Sequence, residues 1–213
     1  MPSIGSVLTP RIEDLLHVQL DHVRVSTRWV LEGLTDDEFL WQPTTPCWSV
    51  RPRDTGSVGW GAGEWICEDQ WPPPDPVPVT SIAWRIVHLA AWIDIYRDWT
   101  FGSAGTGLGD FEVPPDAAGG LRWLFAAQDR FCDAVENLAE GEALELRPAH
   151  YGDDVPVVQL VTTIAAEQVH HVAEAGVLRD LRAGAARDLP PPPPIESPSW
   201  WAAQPGERRP ETE

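Results

Sequence analysis

The sequence predicts an all-α protein, a four-helix bundle with one long loop and a C-terminal tail. Four stretches repeat apolar residues at the three-and-four spacing of an amphipathic helix, each over about five turns or more. No stretch alternates apolar and polar residues clearly enough to indicate a sheet. With 213 residues and 43% hydrophobic content, the chain can bury one sizeable core. We therefore expect one helical domain over residues 9–184 and a tail over residues 185–213.

The first predicted helix begins at Thr9 and Pro10, because threonine caps a helix through its side chain and proline suits the first helical position. It runs to about Leu31 and ends before Gly33. Its core-facing residues are Leu16, Leu20, Val23, Thr27 and Val30.

The second predicted helix begins near Thr80 or Ser81 and runs to about Trp99. Its main apolar stripe is Ile82, Ile86, Leu89, Ile93 and Tyr96, and the rest of its surface is also apolar through Trp84, Val87 and Trp92. A helix that is apolar almost all round should be central. A third helix is predicted from about Ala117 to Leu138, with an inward face of Leu121, Leu124, Phe125, Phe131, Cys132 and Val135.

The fourth predicted helix runs from about Val157 to Arg182 and is stopped by Gly184. Its stripe of core-facing positions is Leu160, Ile164, Glu167, His171, Glu174, Leu178 and Leu181. An unpaired carboxylate in a core costs several kcal/mol, so a cation, a proton or a hydrogen-bond network must compensate it. A divalent metal would supply that compensation, and a network through Arg85 or Arg179 is the alternative.

The spacing of the polar stripe residues indicates which side chains could share an ion. Glu167 and His171 are four residues apart, so they lie on one helix face, and His88 can reach them from the second helix. Two nitrogens and one carboxylate with open positions are typical of catalytic zinc sites, and related sets hold iron, nickel or manganese. His170 and Glu174 have the same spacing, but His170 lies about 100° away from the stripe and suits an outer layer around the ligands.

The connection from Trp41 to Val79 is unusually long for a compact domain, since loops longer than ~15 residues tend to be functional or disordered. It contains the run Pro72–Pro74, and its tryptophans predict that it packs against the helices; these are Trp48, Trp60, Trp65 and Trp71. From Arg187 onward the chain passes through Pro190–Pro194 into a polar end. This pattern is typical of a polyproline spacer and a disordered tail, and docking of the prolines in an aromatic groove is the alternative.

The charge of the chain argues against two classes of partner. Its 33 acidic and 15 basic residues give a formal net charge of -18, which opposes binding to nucleic acid or to anionic membranes.

No signal peptide is apparent, and charged residues interrupt the longest apolar segment, 82–99. Cys47, Cys67 and Cys132 lack CxxC spacing and are expected to be free thiols. We expect a cytoplasmic protein that acts on a small-molecule substrate. The sequence leaves open whether the protein forms a homodimer.

Residues 80–89, TSIAWRIVHL, and residues 167–181, EQVHHVAEAGVLRDL, resemble the DinB superfamily, specifically its actinobacterial DinB-like branch. Segments 38–43 and 47–52 are also similar to that branch, and the resemblance spans about Ile12 to Leu181. It implies a four-helix bundle with an unusual helix order and a divalent metal held by three side chains, most often histidines. His88, Glu167 and His171 occupy the matching positions. Glu167 departs from the all-histidine set and favours harder ions.

The resemblance also implies chemistry with a low-molecular-weight thiol, because better understood members include mycothiol-dependent maleylpyruvate isomerase and bacillithiol or mycothiol S-transferases. We therefore expect an S-transferase whose metal activates a thiol or water for attack on a small electrophile. His170 or Glu174 would orient a ligand or move a proton. Arg51 and Arg53 are candidates for holding a carboxylate of the thiol or the substrate.

Two other classes of function stay open. The same metal could activate water for hydrolysis without any thiol. Alternatively, the protein is a non-enzymatic metal-binding or stress-related module, whose fourth ligand position is closed by protein. His22, on the first helix, is the candidate for that fourth ligand.

Overall fold

The computed structural model describes residues 10–187 and 189–194, and it is helix-rich, as the sequence predicts. The helices are α1 (Ile12–Leu31), α2 (Asp36–Phe39), α3 (Ile82–Phe101), α4 (Ala117–Glu136) and α5 (Val157–Ala183). Single 3-10 turns lie at Leu108–Asp110 and Glu142–Leu144. None of the helices in the described ranges combines the length and the apolar character that a bilayer span requires.

The four long helices pack so that each contacts two others. α3 contacts α4 and α5, and α1 contacts the same two helices. The core between them includes the fully buried side chains Leu31, Ile86, Leu124, Phe131 and Ile164. As its sequence predicts, α3 is buried on nearly every side. This central position brings Arg85 and His88 against His171 of α5.

The ends of the long helices follow local capping chemistry. The Ser81 hydroxyl accepts a hydrogen bond from the Trp84 backbone N–H at 3.2 Å and so caps α3. The Asp116 carboxylate accepts one from Gly119 at 2.6 Å and caps α4. Gly184, at φ 73, ends α5 in the left-handed conformation that glycine adopts without strain. The predicted start of α1 was two residues too early, because its N-cap is Arg11.

The absence of sheets was a wrong prediction, since the described residues contain seven short strands. They are β1 (Cys47–Trp48), β2 (Val50–Pro52), β3 (Gly59–Trp60), β4 (Trp65–Glu68), β5 (Val79–Thr80), β6 (Leu146–Pro148) and β7 (Asp154–Pro156). β4 pairs antiparallel with both β2 and β3, β1 is parallel to β5, and β6 and β7 form a hairpin. Elements of two to four residues are too short to show the alternation from which strands are predicted.

Five of the strands fold the long connection between α2 and α3 into a compact layer. Trp60 is buried, and Trp48 and Trp65 pack against the core, as the sequence predicts for this loop. Trp71 is the exception, because 91% of its surface is exposed.

The described part of the C-terminal tail lies along α1. The Trp29 indole donates a hydrogen bond to the Pro190 carbonyl at 2.6 Å. The Arg187 guanidinium contacts Asp180 at 2.8 Å and the Val30 carbonyl at 3.0 Å. The start of the proline run is therefore docked rather than a detached spacer. Residues 195–213 lie outside the described residues, so the predicted disorder of the tail stays a prediction.

Candidate metal centre

The structure brings His88, Glu167 and His171 together where α3 packs on α5. One potential ligand atom from each of the three side chains lies within 4.8 Å of the other two. The His171 Nε2 and Glu167 Oε2 atoms are 3.5 Å apart. This His/Glu/His cluster could hold a metal ion.

Aromatic packing determines where the His88 side chain points. Its ring stacks on Trp84 with 4.4 Å between centroids, and it meets the His171 ring edge-on at 5.1 Å. Trp84 is itself anchored, because its indole donates a hydrogen bond to the Glu68 carbonyl of β4. The strand layer thus holds Trp84 in place against His88. Helical periodicity in the sequence does not reveal this contact between the strands and α3.

The stripe predicted for α5 is rotated from the face that is buried. The buried residues of α5 are Val157, Leu160, Val161, Ile164, Ala165, Gln168, Val172, Ala175, Leu178 and Arg179. The Glu167 side chain is 47% exposed, the Glu174 side chain is 35% exposed, and Leu181 is 62% exposed. The cost assigned to buried carboxylates was therefore too large, since water still reaches both groups. The case for a cation depends instead on the convergence of the ligand atoms.

Burial keeps both histidines of the cluster neutral. Burial, with smaller contributions from His171 and Arg85, lowers the pKa of His88 to about 3. Burial, followed by Arg85 and His170, lowers the pKa of His171 to about 4. A neutral imidazole has a free lone pair, which is the form that binds metals. Both side chains are therefore in the ligating form at neutral pH.

Glu174 and Arg85 form a charged layer behind His171. Arg85 is ion-paired with Glu174, and His170 Nε2 lies 3.2 Å from the same carboxylate. His171 Nδ1 lies 3.0 Å from Glu174 Oε2 and 3.3 Å from Arg85 Nη1. Because one nitrogen cannot donate to the carboxylate and accept from the guanidinium together, we assign the shorter contact as Nδ1–H donating to Glu174. That tautomer leaves Nε2 free beside Glu167.

The donor set fits a divalent ion. With bonds of about 2.1 Å, a tetrahedral zinc ion holds its ligand atoms about 3.4 Å apart, and the 3.5 Å between His171 Nε2 and Glu167 Oε2 is close to that value. His88 Nδ1 is buried and has no hydrogen-bond partner among the described residues. A buried polar atom without a partner costs about 1–3 kcal/mol, so the imidazole still has a binding capacity that the protein does not use.

A cavity of about 200 Å³ adjoins the cluster. His88 and Glu167 form part of its wall, and the remaining lining residues are Leu89, Trp92, Tyr96, His150 and Ile164. His150 was not predicted from the sequence. It lies between β6 and β7, in a segment without helical periodicity, so no spacing rule could connect it with His88. Burial lowers the pKa of His150 as well.

Three other predicted side chains are not part of the His88, Glu167 and His171 cluster. His22 is exposed on α1 and lines a different cavity, beside Val169 of α5. His22 is therefore not a fourth ligand in this structure. Arg51 pairs with Glu68 at 2.8 Å and donates to the Cys47 carbonyl at 3.1 Å. Arg53 donates to the Gly61 and Gly63 carbonyls. Both arginines hold the strand layer together, which is a structural role that their sequence positions did not indicate.

Comparison with known proteins identifies one family. A family model described as the DinB superfamily matches residues 19–175, which is most of the chain. The matched range includes His88, Glu167 and His171. No curated protein and no solved structure shows a significant match.

Proposed function

The chain belongs to the DinB superfamily, and we propose that it is a divalent-metal-dependent enzyme that transfers a low-molecular-weight thiol to a small electrophile. The single observation that carries this proposal is the convergence of His88, Glu167 and His171 beside a cavity that His88 and Glu167 also line. A substrate in that cavity would contact the open side of the ion. The four long helices would then be the helical bundle of the family.

His88, Glu167 and His171 would hold the ion. When bound there, a divalent ion lowers the pKa of a thiol or water and provides a nucleophile at neutral pH. Two imidazoles and one carboxylate suit zinc, nickel, manganese and iron. The carboxylate of Glu167 reduces the net charge of the site by one, which favours a hard or borderline ion over a soft one.

Glu174 would orient His171 rather than contact the substrate. Its carboxylate accepts from His171 Nδ1 and is itself held by Arg85, and such outer hydrogen bonds fix the tautomer of a ligating histidine. His170 stacks on His171 with 4.8 Å between ring centroids. Because 62% of its side chain is exposed, His170 could pass a proton from the thiol to water.

The proposed transfer exchanges one bond of the substrate carbon for another. The thiol sulfur loses its proton and forms a bond to an electrophilic carbon of the substrate. The bond from that carbon to its leaving group breaks, and the leaving group departs with the electron pair. Neither an oxidant nor a reductant is needed. A cytoplasmic location is proposed with this chemistry, and the free thiols of Cys47, Cys67 and Cys132 suit a reducing compartment.

The test is turnover of 1-chloro-2,4-dinitrobenzene by zinc-, nickel-, manganese- or iron-loaded protein, with mycothiol, bacillithiol, cysteine or no thiol. We expect chloride release that requires both metal and thiol, and that is lost in His171→Ala but kept in the α1 control His17→Ala. Substrate hydrolysis that needs metal but no thiol would instead indicate a hydrolase. Stoichiometric metal without turnover of any electrophile tested would contradict the enzyme proposal and favour a metal-binding module.

A further inference from the structure

A groove between α1 and α4 is lined mostly by apolar side chains. Its walls include Val25 and Trp29 of α1 and Leu121 and Phe125 of α4, and all four side chains are only partly buried. Among the described residues, the His/Glu/His cluster and the cavity beside it share no member with this groove. Exposed apolar surface of this kind marks a place where a further segment can pack.

The described part of the tail leads directly to this groove. The Trp29 indole donates a hydrogen bond to the Pro190 carbonyl at 2.6 Å, and three residues later Pro193 forms part of the groove wall. The Arg187 side chain ties the start of the tail to Asp180 of α5 at 2.8 Å. The tail is therefore anchored on α5 and α1, and it has reached the groove at Pro193.

The sequence beyond Pro194 continues toward two neighbouring tryptophans, Trp200 and Trp201, which lie outside the described residues. Five residues, IESPS, separate Pro194 from Trp200. An extended chain of this length spans about 20 Å. On α1 the groove extends from Val25 to Glu32, which is about 11 Å along the helix. The segment is therefore long enough to place an indole anywhere in the groove.

The chemistry of the groove matches an indole. Arg28 lies over the Phe125 ring, with 4.4 Å between its guanidinium carbon and the ring centroid. The Arg28 side chain is 42% exposed, so a second aromatic side chain can approach it. Tryptophan is the side chain that a guanidinium attracts most strongly through its ring face, and it also makes tilted contacts with other aromatic rings.

The covalent connection to the same chain favours the tail over a separate partner. A short flexible linker gives the group that it carries an effective concentration of about millimolar, so a weak contact is enough to keep the groove occupied. Residues 195–199 and 202–213 contain no aromatic residue. Trp200 and Trp201 are therefore the aromatic side chains that the rest of the tail can supply.

We propose that the groove between α1 and α4 binds Trp200 and Trp201 of the same chain. One indole packs against Leu121 and Phe125, and the tail then connects α5, α1 and α4 across the outside of the helices. The inference goes beyond the proposed function. It is independent of the metal, because no residue of the groove belongs to the candidate ligand set.

Disulfide cross-linking of the full chain tests this docking. In the groove pair Glu32→Cys/Ser199→Cys, one thiol lies at the groove and the other is next to Trp200 in the sequence. In the control pair Glu136→Cys/Ser199→Cys, the first thiol lies on α4 about 17 Å along the helix from Phe125. A disulfide requires its two Cα atoms to lie within about 7 Å. We expect the groove pair to form an intramolecular disulfide about tenfold faster than the control pair.

Three substitutions in the groove pair identify what holds the tail. Trp200→Ala/Trp201→Ala should slow its cross-linking to the rate of the control pair, and Leu121→Asn should slow it as well. Trp71→Ala removes an indole that is 91% exposed elsewhere and should leave the rate unchanged. Melting curves establish that each variant is folded.

Equal rates for the two pairs, or a groove pair that loss of both tail tryptophans does not slow, would overturn the inference. Disulfide-linked dimers whose formation rises with protein concentration would also overturn it. Such dimers would assign the groove to the tail of a second copy.

Discussion

Acidification should destabilise the metal-free protein well before its carboxylates protonate. His88 and His171 are buried in the neutral form, and their pKa values fall to about 3 and about 4. In the unfolded chain a histidine has a pKa of about 6.5. Between these values the unfolded state binds more protons than the folded state, so stability falls as the pH falls. The contribution is complete above about pH 6.5 and is lost progressively toward pH 3.

The size of the effect follows from the two histidines. At pH 5.5, protonating a histidine in the unfolded state only is worth about 1.4 kcal/mol. Two histidines together lower the free energy of unfolding by about 3 kcal/mol relative to pH 7.5, out of about 5–15 kcal/mol for a typical domain. This value changes little with the folded pKa values, provided that both lie well below 5.5.

The assay is urea unfolding of chelator-treated protein at pH 7.5 and pH 5.5, followed by far-ultraviolet circular dichroism. Carboxylates of the unfolded chain, with pKa values of about 4, remain ionised at both pH values. The double variant His88→Gln/His171→Gln should lose about 3 kcal/mol of the pH dependence. The matched control His17→Gln/His22→Gln removes two histidines of α1 instead. Equal wild-type stability at both pH values, or a double variant that keeps the full dependence, would show that these two histidines are not held neutral by the fold.

Four further predictions concern single substitutions. Glu174→Gln should weaken zinc binding about 10- to 100-fold in a chelator competition titration, because the orienting carboxylate is lost; unchanged affinity would contradict that role. Arg179→Met leaves the partly buried Glu38 without its partner. It should lower the free energy of unfolding in urea by about 3–5 kcal/mol. A decrease below about 1 kcal/mol would show that the pair is well solvated. In Gly120→Ala the added Cβ lies 2.9 Å from a core phenylalanine ring and should cost about 1–3 kcal/mol. Gly176→Ala, with its nearest atom at 3.3 Å on a valine side chain, should be nearly neutral because gained helix propensity offsets the crowding.

The long helices were predictable because their ends carry local signals. Ser81 begins α3 with a hydroxyl that accepts from the Trp84 N–H, and Gly184 ends α5 with an N–H that donates to the Leu181 carbonyl. The association of His88, Glu167 and His171 was accessible in part, because the four-residue spacing in α5 places Glu167 and His171 on one helix face. The same spacing relates His170 and Glu174, so spacing alone did not decide between the two pairs. The helix ends and the pairing of Glu167 with His171 depend on neighbours within one or two helical turns.

The remaining features depend on tertiary packing. The buried face of α5 follows its contacts with α1 and α3, which is why Gln168 is buried while the predicted core residue Leu181 is exposed. His150 approaches Trp92 only because the hairpin of β6 and β7 folds back toward α3. Arg51 is held by Glu68 through strand pairing of β2 with β4. No periodicity in the sequence encodes such contacts.

The most direct test of the metal centre is the metal content of untagged protein, purified without chelator and measured by elemental mass spectrometry. The wild type should carry close to one equivalent of a divalent metal. His88→Ala, Glu167→Ala and His171→Ala should each carry much less, while the control His22→Ala keeps its metal. A wild type that holds none and takes up no zinc, nickel, manganese or iron would contradict the metal centre. The three side chains would then form a polar contact between α3 and α5 and nothing more.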